Sequence, residues 1–253
     1  MLELRKSILV AAAAAKEGHI ASAFSVLDIL WVLYDRILRF NSHDPGWVDR
    51  DRFVLSKGHA SLALYAVLAA KGFFPQELLS HFAEYRSILG GHPDRTKVPG
   101  VEASTGSLGH GLPMSVGMAM GLKINGSPSR VFCLVGDGEC NEGSIWEASL
   151  LAVHHRLHRL TCIVDYNHST DRALEMGDIE RKFASFGFSC VSVDGHDHEA
   201  LEQALNMASD DRPSMIVANT VKGRGCLRME NNPEWHHRTP SKDELDSLFE
   251  ELS

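Results

Sequence analysis

Hydrophobic and polar positions follow two different rhythms along this chain of 253 residues. In the first third apolar residues recur at three and four positions. Leu2, Leu4, Ile8, Leu9 and Ala12 form one helical stripe, and the pattern predicts helices over about 2–16 and 22–38, broken at Gly18. Phe53-Val-Leu-Ser56 reads as a short strand, with helical patterns after it near 60–71 and 75–83. Residues 89–111 are rich in glycine and have no period, so they predict loop. A helix of small residues follows near 111–123. From Val131 onward the pattern becomes regular. Strands at 131–135, 160–165, 188–193 and 214–220 alternate with helices at 142–157, 178–185 and 198–208. A last helix over 241–252 would be capped by Ser241.

Strands that are apolar almost throughout, separated by helices, predict a parallel sheet covered on both faces. The expected fold class is α/β, a doubly wound and mostly parallel sheet. No internal repeat or linker composition divides the chain, so one domain over residues 1–253 is expected.

Composition narrows the function. The net charge of −8 argues against a nucleic-acid face, which needs a basic surface. It also implies that any phosphate would be held by backbone N–H groups, histidines or a metal rather than by massed lysines. Five cysteines, with no CxxC spacing and an odd count, fit a reduced cytoplasmic protein. No run reaches the ~18 apolar residues of a membrane span. Glu3 and the Lys16-Glu17 pair predict a helix over the first residues in preference to a signal peptide.

The candidate chemistry begins at VFCLVGDGE, where a core strand runs into Asp137 between two glycines. Ligands bind outside the carboxyl ends of strands in such sheets. The next strand, LTCIVDYN, ends at Asn167 about thirty residues on, room for one helix and one strand. A βαβ unit would bring Asp137 and Asn167 to neighbouring strand tips. A carboxylate and an amide oxygen suit a hard cation such as Mg²⁺, which completes its octahedron with phosphate and water. A calcium loop is excluded, because Glu142 and Ala148 stand where that loop needs glycine and glutamate. By itself GDG is also compatible with a plain tight turn.

The longer pattern is more specific. GDGECNEG, an intervening helix and a strand ending in YNHS resemble the thiamine-diphosphate motif. KEGHIASAFSVLDILWVLY, DRDRFVLSKGHASLALYAVL, GGHPD, STGSLGHGLPMSVGMAMGLK, GDGECNEGSIWEASLLAVHHRL and MENNPEWHHRTP are similar, in that order, to transketolase. The resemblance covers the diphosphate-binding N-terminal domain and stops there, without the pyrimidine-binding or C-terminal domain. It therefore implies the N-terminal subunit of a split transketolase.

The resemblance also implies roles. Asp137, Asn167 and the Ser169 carbonyl would bind the metal, Mg²⁺ or alternatively Ca²⁺ or Mn²⁺. Thiamine diphosphate would be contacted by Gly138, Asn167, His59, His236 and the segment Gly106, Ser107 and Leu108. His19, His92 and His236 would contact substrate and move protons, which suits a side chain that donates and accepts near neutral pH. The implied reaction moves a two-carbon ketol unit from a ketose donor to an aldehyde or other carbonyl acceptor. The partner implied is a C-terminal subunit that brings the pyrimidine domain and its glutamate, as α₂β₂. His154, His155, His158, His168, His196 and His198 are expected to be ordinary surface or core residues. Glu142 matches a glutamate of the family's dimer interface, and a helix N-terminal charge explains it equally well.

Four positions depart from the usual family pattern. Ser107 stands for a common proline and His110 for a common glutamine. EGHIAS lacks the usual proline after His19, and His237 replaces a glycine. The last two bear on which substrate is used. Two rival functions remain: the α subunit of a 2-oxo-acid dehydrogenase type of thiamine-diphosphate enzyme, which shares only GDG and N, and a half-transketolase that keeps the fold and binds or regulates without turnover.

Overall fold

The computed structural model describes residues 1–171, 173–207 and 211–252. Five parallel strands form one sheet in the order β1-β2-β3-β5-β4: β1 (Arg52–Leu55), β2 (Val131–Gly136), β3 (Leu160–Tyr166), β4 (Ser189–Asp194) and β5 (Ser214–Asn219). The helices are α1 (Leu2–Ala15), α2 (Ile20–Val32), α3 (Ser61–Ala70), α4 (Gly111–Ile124), α5 (Gly143–His154), α6 (Ile179–Phe186), α7 (His198–Asn206) and α8 (Lys242–Glu251).

The period of two along each strand divides the core. Phe53, Leu55, Phe132, Leu134, Ile163 and Ile216 join one apolar cluster with α1, α2, α3, α7 and α8. Val54, Cys133, Val135, Cys162, Val164 and Met215 join the other with α4, α5 and α6. Helices thus cover both faces, as the sequence predicts. α2 is buried at every position except Trp31, which explains why its sequence shows little polar face. Asp178 caps α6 through Arg181 N–H, and Ser241 with Glu244 forms a capping box on α8.

Two elements differ from expectation. The helix expected over 22–38 stops at Val32 and widens into a π turn over Leu33–Ile37. The helix expected near 75–83 is a short 3₁₀ segment, Gln76–His81. Both segments carry an apolar stripe whose period cannot distinguish these helix types. The expected end of α7 at residue 208 lies outside the described residues.

Candidate cofactor and metal site

The site lies where β1, β2, β3 and β5 end. Asp137 follows β2 and is 2% exposed. Its Oδ1 accepts the N–H of Gly138 at 2.7 Å and the hydroxyl of Ser169 at 3.2 Å; its Oδ2 accepts the N–H of Ser169 at 3.0 Å. The same Ser169 N–H donates to Oδ1 of Asn167 at 3.1 Å. Asp137 Oδ2 and Asn167 Oδ1 therefore share one donor, the Ser169 N–H, from adjacent strand tips. Burial pushes the Asp137 carboxyl up from its usual range, and the charge of Asp165 adds to that push.

A buried network stands behind them. Asp165, the sixth residue of β3, accepts from Ser25 Oγ at 2.7 Å and Asn167 Nδ2 at 3.0 Å, and from the Lys57 ammonium and the Thr220 hydroxyl. Asn167 Nδ2 also donates to Ser25 Oγ at 3.0 Å. With both amide hydrogens engaged inward, the Asn167 oxygen must face Asp137. Burial alone would raise the Asp165 pKa, but Lys57 and these hydroxyls hold it below the ordinary carboxylate range.

The glycine motifs gain a reason here. The segment after β1, SKGH, lies against the loop STGSLGHG. A Cβ on Gly58 would stand 2.8 Å from the backbone of Thr105 and Gly106, and one on Gly111 would stand 2.4 Å from Ser56 Cβ. Only glycine permits that approach. Glu139 fastens the layers, accepting from Gly109 N–H at 2.9 Å, Gly136 N–H at 3.1 Å and the Ser56 hydroxyl.

The histidines gather above this floor. His19, at the N-cap of α2, lies with its ring 5.1 Å from that of His59, 5.6 Å from His236 and 4.5 Å from His237. His92 enters from the loop, its ring against Gly106, where a Cβ would approach to 2.8 Å. Burial, then the imidazoles of His237 and His236, push His19 down to about 4. Burial and Lys57 push His59 down to about 2. Both rings are neutral at pH 7. A cavity of about 540 Å³ opens beside them, lined by Asn167, Ser169, Lys222, Asn231 and His236 among others. Ser107 is exposed and Leu108 half-buried at its loop, and the Leu108 carbonyl lies 3.1 Å from His110 Nδ1.

Asp137, Gly138, Asn167, Ser169, His19, His59 and His236 are thus brought together. Sequence reasoning missed Lys57, Asp165, Ser25, Thr220 and Lys222. Lys222 Nζ lies 2.7 Å from His236 Nδ1, and burial followed by the charge of Lys57 lowers it to about 8. Position relative to the strand ends was the available signal, since Lys57 and Lys222 each follow a strand within three residues. Ser22, fully buried one turn before Ser25, has no hydrogen-bond partner for its hydroxyl among the described residues.

These residues fit a divalent cation and a diphosphate. Two oxygens meet at one N–H, a buried carboxylate has no ion-pair partner within bonding distance among the described residues, and two lysines and neutral imidazoles stand nearby. Architecture and site together define an α/β domain that holds a phosphorylated cofactor at the carboxyl end of its sheet. The chain belongs to the transketolase family: residues 4–252 match the family "Transketolase, thiamine diphosphate binding domain". It is similar to "Ferredoxin fas2" of Rhodococcoides fascians, at 49% identity over 81% of this chain and 68% of that protein. It is similar to the 6-deoxy-6-sulfo-D-fructose transketolase subunit SqwG of a Clostridium strain, at 37% over 93% of this chain and 88% of that one. An apulose-4-phosphate transketolase subunit of Phocaeicola vulgatus is 36% identical over 98% of this chain and 91% of its own. Among solved structures, transketolase from Leishmania mexicana superposes with a TM-score of 0.89 at 31% identity, covering 98% of this chain. This chain spans 40% of that one. It is a thiamine-diphosphate-binding domain of the transketolase N-terminal type, with the doubly wound fold that its sequence predicts.

Proposed function

We propose that this chain is the diphosphate-binding subunit of a two-subunit transketolase. One domain covers 1–253, and a C-terminal subunit carrying the pyrimidine domain completes the site, as α₂β₂ in the cytoplasm. The observation that carries this is the meeting of the Asp137 carboxylate and the Asn167 amide oxygen at the Ser169 N–H, on adjacent strand tips beside Lys222 and His236. Relatives of similar length bear the names of transketolase subunits, which supports the divided architecture. No helix among the described residues is long and apolar enough to cross a membrane.

In this reading Asp137, Asn167 and the Ser169 carbonyl hold Mg²⁺. Gly138, His59, His236 and Lys222 meet the diphosphate, and Gly106, Ser107 and Leu108 line the cofactor. Thiamine diphosphate, when bound, supplies the carbanion and electron sink through which a two-carbon ketol unit passes from a ketose to a carbonyl acceptor. The chain's own residues bind, orient and move protons. His19 is neutral at working pH, so it can take a proton from a substrate hydroxyl at one nitrogen and offer an N–H at the other. His92, exposed at the rim, orients the donor. His236, drawn down by burial and by Lys222, shares the cofactor side with that ammonium.

Mixing the purified chain with its candidate partner tests this. Ketol transfer is expected from the mixture only, with thiamine diphosphate and Mg²⁺ required. Full turnover by this chain alone would sink the divided-enzyme reading. Absence of cofactor binding, with and without partner, would leave only a degenerate fold.

One observation favours a second reading. The 49% identical relative is named "Ferredoxin fas2" and not a transketolase subunit. An enzyme of the 2-oxo-acid dehydrogenase type would oxidise a 2-oxo acid and pass the electrons on. Dye reduction with a 2-oxo acid, without ketol transfer, would select it.

A further inference from the structure

Asp28 sits within α2, beneath the site, and side chains from two other parts of the chain converge on it. Arg5 of α1 donates from Nη2 to Oδ2 at 3.2 Å. His196, in the turn between β4 and α7, faces the same oxygen from Nδ1 at 2.9 Å, and His198, at the start of α7, faces Oδ1 from Nε2 at 2.9 Å. The side chains of Asp28, Arg5 and His196 are 7%, 6% and 8% exposed. His196 and His198 are thus core and boundary histidines satisfied by Asp28, as ordinary structural residues would be.

The second nitrogen of His196 gives the cluster a direction. Its Nε2 accepts the backbone N–H of Val221 at 2.8 Å. An imidazole that accepts at Nε2 carries its proton on Nδ1, and a carboxylate on that side fixes the tautomer. Val221 immediately precedes Lys222, whose ammonium lies 2.7 Å from His236 Nδ1. Neighbouring bonds hold the same stretch of chain. Gly223 N–H donates to the Ala21 carbonyl at 3.0 Å, and Arg5 Nε donates to the Arg224 carbonyl at 3.1 Å. Gly195 packs so tightly on Thr220 that a Cβ would come within 2.4 Å of its methyl group.

We propose that Asp28 and His196 form a positioning pair. Asp28 fixes the Nδ1–H form of His196, and His196 holds the exit of β5 so that Lys222 faces His236. Neither residue touches the cofactor cavity. The proposal rests on the reading that Lys222 and His236 serve the cofactor, but their alignment is a property of the free chain and is measurable there.

Two replacements separate the two contacts of His196. His196→Gln keeps an acceptor near the place of Nε2, and His196→Asn keeps a donor near the place of Nδ1. The readouts are the ¹⁵N signal of His236 Nδ1 in the free full-length chain and calorimetric affinity for thiamine diphosphate with Mg²⁺. His196→Gln is expected to leave the His236 signal in place and the affinity within about threefold of wild type. His196→Asn is expected to move the signal and weaken affinity about 10–100-fold, the range for loss of a supporting partner. Equal losses in both variants, or an unmoved signal in His196→Asn, overturns the pair. Should His196→Asn not fold, Asp28→Asn supplies the same contrast: a displaced His236 signal supports the pair, and an unchanged one overturns it. If the wild-type chain does not bind the diphosphate, the cofactor reading fails, while the His236 signal still decides the positioning role.

Discussion

Two aspartates at opposite ends of the same sheet are buried alike and treated differently. Asp51, just before β1, is 4% exposed; Asp137, just after β2, is 2% exposed. Asp51 accepts from the backbone N–H and guanidinium of Arg39 and from the backbone N–H and guanidinium of Arg130. Burial would raise its pKa, yet these partners hold it below the usual range. Among the described residues, Asp137 has only backbone N–H groups and one hydroxyl at hydrogen-bond distance, with the charge of Asp165 nearby, and its pKa is raised. The amino end of the sheet carries its own countercharge. At the carboxyl end Asp137 has no such ion pair among the described residues, although the charge of Lys57 partly offsets the push of burial and Asp165, and this difference is what the proposed cation would answer.

Substitution should separate the two ends most sharply. Asp137→Ala is expected to weaken binding of thiamine diphosphate with Mg²⁺ by more than about 100-fold, exceeding the usual effect of losing a supporting residue, without lowering the melting temperature of the cofactor-free chain. Chelating the metal should reproduce that loss in wild type. Calorimetry and thermal melts decide both, and a lower melting temperature in Asp137→Ala would erase the contrast. Asp51→Asn should do the reverse, costing about 2–3 kcal/mol in denaturant unfolding, at or below the range for breaking a buried pair because its arginines are half-exposed. Its cofactor affinity should match wild type.

Lysine titration gives a smaller effect. Lys222 is lowered from the ordinary 10.5 to about 8 by burial and by Lys57. Between those values the folded state has released a proton that the unfolded state keeps, so the free chain gains stability as pH rises through the window. Diphosphate affinity runs the other way, since it uses the ammonium. It should fall above pH 8, approaching a tenfold change per unit. Titrations from pH 7 to 9.5 should show this slope, and Lys222→Met should flatten it. The smallest effect is expected at the rim. His237→Gly removes the largest electrostatic push on His19, so the His19 imidazole should titrate higher by NMR. In the partnered enzyme the donor KM should shift about two- to fivefold, typical of a modest change in pocket shape.

The parallel sheet was legible because strands such as Val131–Gly136 are apolar on both faces, and only a sheet covered twice buries them so. The tips of β2 and β3 were legible because one intervening helix fixes which strand ends are neighbours. The π turn after α2 was not legible, since one apolar stripe serves both helix types. His196 and His198 were not legible either. Their partner Asp28 is 168 and 170 residues away in the chain, and no local pattern records such a pairing.

By itself the sequence determined the alternation of strands and helices, the glycines where loops must touch, and the carboxylate and amide at neighbouring strand tips, because each follows from local period, backbone freedom or chain order. Only the tertiary structure decided which charges meet. It placed Lys57 on Asp165, left Asp137 to backbone N–H groups and a hydroxyl, and set Lys222 against His236. The physical reason is that burial and countercharge are properties of space, and residues far apart in the chain supply them.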